Sequence, residues 1–477
     1  MAANYLHGVE TIELNKGPVP VSVVKSAVIG LVGTAPKGPV NALTVVQSAM
    51  DAAQFGEQVP GFDIPQALAA ILAHGAGLVV VVNTFNFATN TAQVTDEVLS
   101  ATANGKTKLA FAPIPDAAGA SSLSIVKGSN TAVAASAYSM DAYGNLTVLD
   151  YTVIPEGTVL KATYKKLDAA TLSDAQMIGT VNSGTNVKTG YKLFAECFNS
   201  FGFVPKILIS PNFSEKPAVA TEMLSAADKY RAIALLDAPA GTTPQEAIAG
   251  RGPAGTVGRF NTSSKRAYLL YPRLKAFDPA TNAIVLRPYA PFMAGVMAAT
   301  DNSLGYWNSP SNKEIKGITG MERNLTAAAN DAGTEVNLLN EKGITTIFNS
   351  FGTGLRTWGN RSAAFPTSTA PSNFISVQRT ADIIHESLEL AMLQFIDRPI
   401  TQATIDAVRE TVNGFMRSLI QREAIVDGKC TFDKAKNTPV ELSAGHLTFD
   451  ITFMPPTPAE RITFDSFIDI NLLKSLA

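Results

Sequence analysis

Histidine, cysteine and clustered charge are scarce in this chain, and each shortage removes a class of function. Four histidines, His7, His74, His385 and His446, are scattered through 477 residues. A Ser-His-Asp site would need one of them beside a serine in a nucleophile elbow, and none is. His385-Glu386 lacks the second histidine that would let one helical face hold zinc, so His385 reads as a helix-surface residue. Cys197 and Cys430 lie far apart and outside any Cys-x-x-Cys pair, which argues against a disulfide framework or a zinc site. Charged residues make up only 16% of the chain, the formal net charge is -2, and no run of five or six like charges occurs. Neither nucleic acid nor an anionic membrane is therefore an expected partner. The longest apolar runs, Ala27 to Val32 and Leu78 to Val82, are far too short to cross a bilayer, and the start lacks a basic stretch followed by an apolar one. Folding in the cytoplasm, without membrane insertion, is expected.

Phosphate-binding loops are missing too. Gly250-Arg-Gly-Pro-Ala-Gly255 matches G-x-G-x-x-G, but a helical pattern precedes it and Pro253 interrupts it, whereas a dinucleotide loop needs a strand before and a helix after. A mobile surface loop is the expectation there. Asp237 and Asp301 end strand-like or helical pieces and read as capping or turn residues. No catalytic, cofactor-binding or metal-binding residue emerges, and no cofactor is expected. An α/β enzyme with a β accessory domain survives as the lesser alternative, motivated by the buried-looking strands and the loop at Gly250 to Gly258.

What is present is apolar surface: 46% of residues are hydrophobic, a balance suited to a surface that meets other protein. The length suggests two to four domains. Residues 1–25 read as an extended arm carrying Val9, Ile12, Leu14, Val19 and Val21; Pro18 and Pro20 deny backbone donors and suit it to a sheet edge. Residues 26–89 and 175–342 form a discontinuous α/β domain. Its strand patterns are Ala27 to Val32, Leu78 to Phe85, Ile207 to Ile209 and Ala232 to Leu236, and its helix patterns are Pro65 to Ala73, Tyr191 to Phe198 and Pro217 to Tyr230. Between its halves, residues 90–174 turn to Thr, Ser, Ala and Gly with short alternating segments at Leu123 to Val126, Leu146 to Val153 and Thr158 to Tyr164. That reads as an inserted all-β domain on the outer surface.

The C-terminal part, residues 343–460, opens with a strand at Ile344 to Phe348 and a turn carrying Arg356, Trp358, Gly359 and Arg361. A disordered-looking Ser/Thr/Pro linker follows. Ile384, Leu388, Ala391 and Phe395, then Ile405, Val408, Val412, Met416 and Leu419, each paint one helical stripe, so a helical hairpin is expected. Its arginines are answered almost one for one by Asp382, Glu386, Glu389, Asp397, Asp406, Glu410 and Glu423, as on solvated helix faces with i to i+4 pairs. Leu447, Phe449, Ile451 and Phe453 then alternate with polar residues as a half-buried strand, partnered by a segment near Ala424 to Phe432. Pro455, Pro456 and Pro458 stop it, and residues 461–477 form a second extended arm with Ile462, Phe464, Phe467, Ile468 and Ile470.

Two blocks resemble contractile phage tail sheath proteins. One is a strand, the Arg356-x-Trp358-Gly359-x-Arg361-Ser362 turn, a strand ending in Arg379, and a helix pair. The other is the proline-led helix Ala290 to Asp301, whose small residues Ala294, Gly295, Ala298 and Ala299 would let it approach a strand closely, followed by Gly305-Tyr-Trp307 and Pro310-Ser-Asn312. The resemblance implies a non-enzymatic structural subunit of the virion, assembled in the host cytoplasm into hexameric rings stacked as a helical homopolymer. Its implied partners are the tail tube protein and the baseplate and tail terminator proteins. It further implies an α/β and α+β multidomain fold, with the C-terminal sheet completed by the terminal arms of neighbouring subunits. Arg398, Arg409 and Arg417 are candidates for facing the tube. A related bacteriocin or secretion sheath is the nearest alternative.

Overall fold

The computed structural model describes residues 20–75, 77–100, 104–116, 119–350 and 352–471. Eight strands form one sheet in the order Gly354–Trp358, Ile344–Ser350, Ala267–Leu270, Ile233–Asp237, Ile207–Ile209, Ile29–Gly33, Val79–Asn83, Thr44–Val46. The six inner strands run parallel, and each outer strand is antiparallel to its neighbour. The strands from Ile29 to Gly33, Val79 to Asn83, Ile207 to Ile209, Ile233 to Asp237 and Ala267 to Leu270 are buried at every position. A continuous β-branched run such as Val79-Val-Val-Val82 can be stable only with both faces covered. Leu31, Val81, Ile209 and Leu235 pack on one side with the helices Ile64–Leu72 and Ala290–Leu304; Val32, Val80, Leu208 and Leu236 pack on the other with Phe194, Met223 and the helix Pro217–Tyr230.

The helix Ala290–Leu304 is started by Pro291 and by a side chain from another element. Asp237, at the end of its strand, accepts from the backbone N–H groups of Tyr289 and Ala290 at 2.9 and 2.8 Å, and Ser214 donates to its other oxygen at 3.2 Å. Burial pushes the Asp237 carboxyl up to about 6 against these bonds. This helix lies against the strands Ile207–Ile209 and Ile233–Asp237, as expected, and Gly295 in addition admits the end of the helix Ile64–Leu72. A Cβ on Gly295 would stand 2.7 Å from Nδ1 of His74 and 3.2 Å from Cα of Ile71. His74 itself is a satisfied core residue: Nδ1 donates to Ala70 O and Nε2 accepts from the Lys316 N–H. The expected helix at Tyr191 to Phe198 is a 3-10 turn, Gly190–Glu196, running into the short helix Cys197–Phe201.

Between Asn83 and Asp174 the chain builds two antiparallel sheets, one four-stranded around the long strands Thr91–Ser100 and Val159–Leu167, one three-stranded around Asn145–Val148. Leu99, Ile125, Leu146, Leu160 and Tyr164 fill a core of their own. The strand expected through Val153 ends at Val148, because Asp150 turns the chain by accepting from the Thr152 N–H and hydroxyl.

Three expectations for the C-terminal part need correction. The strand at Ile344 does not open a separate domain: it pairs in parallel with Ala267–Leu270 and carries Gly354–Trp358 on its far side, so residues 344–358 complete the large sheet. The linker at 363–373 is folded: Ala363 donates to Ala267 O at 2.9 Å and Ser362 to Asn373 O at 2.7 Å. Arg379 ends no strand. It lies inside the helix Ile375–Met392, because the stretch from Phe374 onward is taken into the helical stripe that continues through Ile384 and Leu388.

Candidate assembly interface

The C-terminal unit is a helical hairpin and a two-stranded sheet. The helices Ile375–Met392 and Gln402–Gln421 face each other through Ile384, Leu388, Val412, Phe415, Met416 and Leu419. Thr401 caps the second, accepting from the Thr404 N–H at 3.2 Å, as expected from the break at Asp397-Arg-Pro-Ile400. The strands Asp427–Thr431 and Asp450–Met454 pair antiparallel. The second strand starts later than alternation suggested. Leu447 and Phe449 lie in the approach to it, where Asn437 holds the chain by bonding both the N–H and the C=O of Thr448. Phe449, Ile451 and Phe453 are only partly covered.

The backbone of this small sheet has one spare edge. Cys430 bonds the side chain of Asn413 through both its N–H (2.7 Å) and its C=O (3.2 Å), so it faces the second helix and not the partner strand. Its opposite residue, Ile451, therefore belongs to a non-hydrogen-bonded pair, and alternation gives Phe453 opposite Gly428 the same orientation. Ile451 and Phe453 thus turn their N–H and C=O groups outward, and among the described residues no strand takes them. An unpaired edge is a template for another chain.

The first described residues meet this unit, and the last ones leave it. Residues 20–26 run beside the first helix, with the Val24 N–H donating to Ser387 Oγ at 3.2 Å, Arg379 donating to Ser26 O at 3.2 Å, and Val21 packed on the hairpin core. Val9, Ile12, Leu14 and Val19 lie outside the described residues. At the other end, Ile462, Phe464, Phe467, Ile468 and Ile470 are between 70% and 105% exposed. Five large apolar side chains on one short segment are left in water, more than the scattered apolar residues of an ordinary surface.

The motif residues do structural work. Arg356 and Trp358 lie on the sheet's outer strand: Arg356 donates to Asn312 O at 3.0 Å, and Trp358 stacks on Phe348 at 4.6 Å. Gly359, at φ 137, allows close passage, since a Cβ there would sit 2.8 Å from Thr345 Cα. Arg361 reaches the tail: its guanidinium lies over the rings of Phe374 and Phe365, at 3.6 and 4.7 Å, and pairs with Glu460 at 2.6 Å, fastening the chain just where the exposed segment begins. Of the tube-facing candidates, Arg409 pairs with Asp406 at 3.0 Å, Arg417 stands 3.8 Å from Glu410, and Arg398 lies over Phe395.

Charge on the first helix does not form the local pairs its spacing suggests. Arg379, Asp382, Glu386 and Glu389 do not pair with one another along a solvated face; they pair with Asp301, Arg266, Lys206 and Arg231 of the α/β body. Their spacing of three, four and three residues marks one face, but nothing in it names partners so far along the chain. His385 is exposed on the helix surface, as expected, with its ring edge-on to Phe453 and its pKa lowered by partial loss of water. The Gly250 loop is fastened: Arg251 donates to the carbonyls of Lys342, Phe260, Thr262, Ala363 and Phe365. Among the described residues no group of His, Cys, Asp and Glu could hold a metal ion, and no helix is long and apolar enough to cross a membrane.

Comparison with known proteins adds the following. The phage tail sheath protein central domain matches residues 184–363, and the phage tail sheath C-terminal domain matches residues 367–469. The chain is 46% identical over 479 residues to the tail sheath protein of Burkholderia phage BcepMu, covering 100% of this chain and 99% of that one. It is 34% identical over 301 residues to a putative prophage major tail sheath protein of Pseudomonas aeruginosa, covering 62% and 74% of the two chains. Among solved structures, the helical sheath of the anti-feeding prophage in its contracted state matches with a TM-score of 0.59 at 16% identity, covering 98% of this chain and 100% of that one. The contracted sheath complex of the extracellular contractile injection system PVC gives 0.57 at 17% identity, covering 99% and 100%. At such identities the structures speak for a common fold.

Proposed function

The chain belongs to the contractile phage tail sheath family, and on that premise we propose that it polymerises by lending its terminal arms to the unfinished sheets of neighbouring copies. It is a structural component of the virion and not an enzyme. The observation that carries the assembly reading is the pairing, within one chain, of an open strand edge at Ile451 and Phe453 with an exposed apolar tail from Ile462 to Ile470. Each supplies what the other lacks. Added backbone hydrogen bonds are worth about 1 kcal/mol each net, and apolar side chains entering alternate pockets add to that.

In this reading, subunits made in the host cytoplasm form hexameric rings that stack helically around the tail tube, bounded by baseplate and terminator proteins. The proline segment Pro455-Pro-Thr-Pro458 is the hinge between the acceptor strand and the arm. Rotation there lets subunits slide and tilt while the strand ladder stays paired, so the sheath shortens without coming apart. Contraction exchanges smaller rigid-body contacts for larger ones and consumes no nucleotide. Residues 90–174 are an insertion on the outer surface, serving as decoration or for adhesion to a host. Removing residues 1–22 or 462–477 tests the reading: each variant is expected to remain a folded, soluble subunit that forms no tubes by negative-stain microscopy. Normal tubes from either would overturn it.

A further inference from the structure

The helix Ile375–Met392 joins the two halves of the molecule through Ile375, which enters the core of the large sheet, and through a row of ion pairs. Its hairpin-facing side carries Ile384 and Leu388. The side facing the α/β body carries Arg379, Asp382, Glu386 and Glu389, with Ser376, Gln378, Thr380 and Ser387 buried among them. Their partners cluster at the amino ends of the parallel strands: Lys206 immediately precedes Ile207–Ile209, Arg231 lies two residues before Ile233–Asp237, and Arg266 immediately precedes Ala267–Leu270. Asp301 comes from the last turn of the helix Ala290–Leu304.

The geometry is specific. Arg379 grips Asp301 with two bonds, at 2.8 and 2.5 Å, and Arg266 grips Asp382 with two, at 2.6 and 2.9 Å. Lys206 pairs with Glu386, and Arg231 meets Glu389 at 2.7 and 2.6 Å. Burial falls along the helix, from side chains 5% and 1% exposed in the first pair to 32% and 60% in the last.

The order of signs matters. The helix presents plus, minus, minus, minus, and the body presents minus, plus, plus, plus. A slip of one turn in one direction would set Asp382 against Asp301; a slip in the other would set Arg379 against Arg266. Either places like charges together in the most buried part of the joint. Had all four pairs the same polarity, a slipped helix could still make three of them. We infer that the inverted Arg379–Asp301 pair is a register key: it fixes the one position in which the C-terminal unit docks on the α/β body. Ion pairs taken out of water add little net stability but penalise wrong pairings strongly, which is the property a register key needs. These are positioning residues, acting on the acceptor strand through the helix that carries it. The register key stands on the ion pairs alone; only its consequence, that the acceptor edge is aimed at neighbouring arms, rests on the proposed function.

Hydrogen exchange on the full-length subunit tests this. Asp301→Lys sets a like charge against Arg379. Amides of residues 375–392 and 450–454 are then expected to exchange at least tenfold faster, while those of 207–209 and 233–237 keep their protection. Asp301→Lys combined with Arg379→Glu rebuilds the pair but gives all four pairs one polarity, so protection is expected to return in residues 375–392 and only in part in 450–454, whose placement the key sets. Unchanged exchange in the single variant, or full return of both segments in the double, overturns the inference. Should Asp301→Lys not fold, Glu386→Gln with Glu389→Gln decides at the exposed end: a two- to fivefold acceleration confined to the helix supports the key, and no change overturns it. Electron microscopy of the same variants separates the two readings. A loosened helix with normal tubes keeps the register key and removes its link to assembly.

Discussion

The large sheet and the small one are built on opposite principles. Eight strands stand in the first, with its inner strands covered on both faces; two stand in the second, with one edge open and its residues half exposed. The body buries the apolar side chains of its inner parallel strands within one molecule. Among the described residues, the C-terminal unit leaves backbone groups without a partner on a strand and apolar groups in water on a tail. On the proposed reading, the difference teaches that stability and assembly are assigned to separate parts of one chain, so each is open to change without the other.

The comparison breaks most plainly under truncation. Loss of residues 462–477 is expected to abolish tubes while moving the thermal midpoint of the subunit by less than about 2 °C, since Ile462, Phe464, Phe467, Ile468 and Ile470 are already in water. The reverse experiment is Leu31→Ala, at a fully buried position of the large sheet. It should cost about 2–5 kcal/mol by denaturant unfolding and leave tube geometry unchanged wherever the subunit stays folded. Proline then sharpens the contrast within one strand. Ile451→Pro removes an outward N–H and should yield folded subunits that assemble poorly, whereas Thr452→Pro removes an inward one and should loosen the hairpin itself in hydrogen exchange.

Asp63 offers a test of the body alone. Buried between Thr34, which donates at 3.0 Å, and Asn212, which donates at 2.5 Å, its carboxyl is pushed up to about 6 by loss of water. A carboxyl raised in the folded state binds its proton more tightly there, so this group's contribution to stability falls as pH rises from about 4 through about 6. Asp63→Asn should remove that share of the slope, on the order of 2–3 kcal/mol, from unfolding curves between pH 4 and 7. Asp237, raised in the same way, leaves a remaining slope. The smallest effect is expected at the tail root. Arg361→Ala should cost under about 1 kcal/mol of subunit stability, because Glu460 is half exposed, yet should slow tube growth by freeing the point where the arm leaves the body.

Much of this contrast was legible in the sequence. Val79 to Val82 announced a strand covered on both faces, Pro217 to Tyr230 a helix, and Pro455 to Pro458 the end of the acceptor strand. These signals are local, and periodicity and proline speak for themselves. Pairings between distant segments were not legible. Nothing in Ile344 to Ser350 tells which strand it will lie beside, and it joined Ala267–Leu270 instead of opening a domain. The charged stripe from Arg379 to Glu389 was visible as a stripe, but its partners stand 78, 116, 180 and 158 residues away. Charges close in sequence invite local pairing, and only the fold decides otherwise.

The central claim is that the edge left by Ile451 and Phe453 is filled from another molecule. A cryo-EM reconstruction of assembled tubes, with the chain traced from Met454 to Ile470, tests it most directly. The account expects the segment from Ile462 to Ile470 to lie in the sheet of a different subunit. A tail paired with the Asp450–Met454 strand of its own subunit would contradict it.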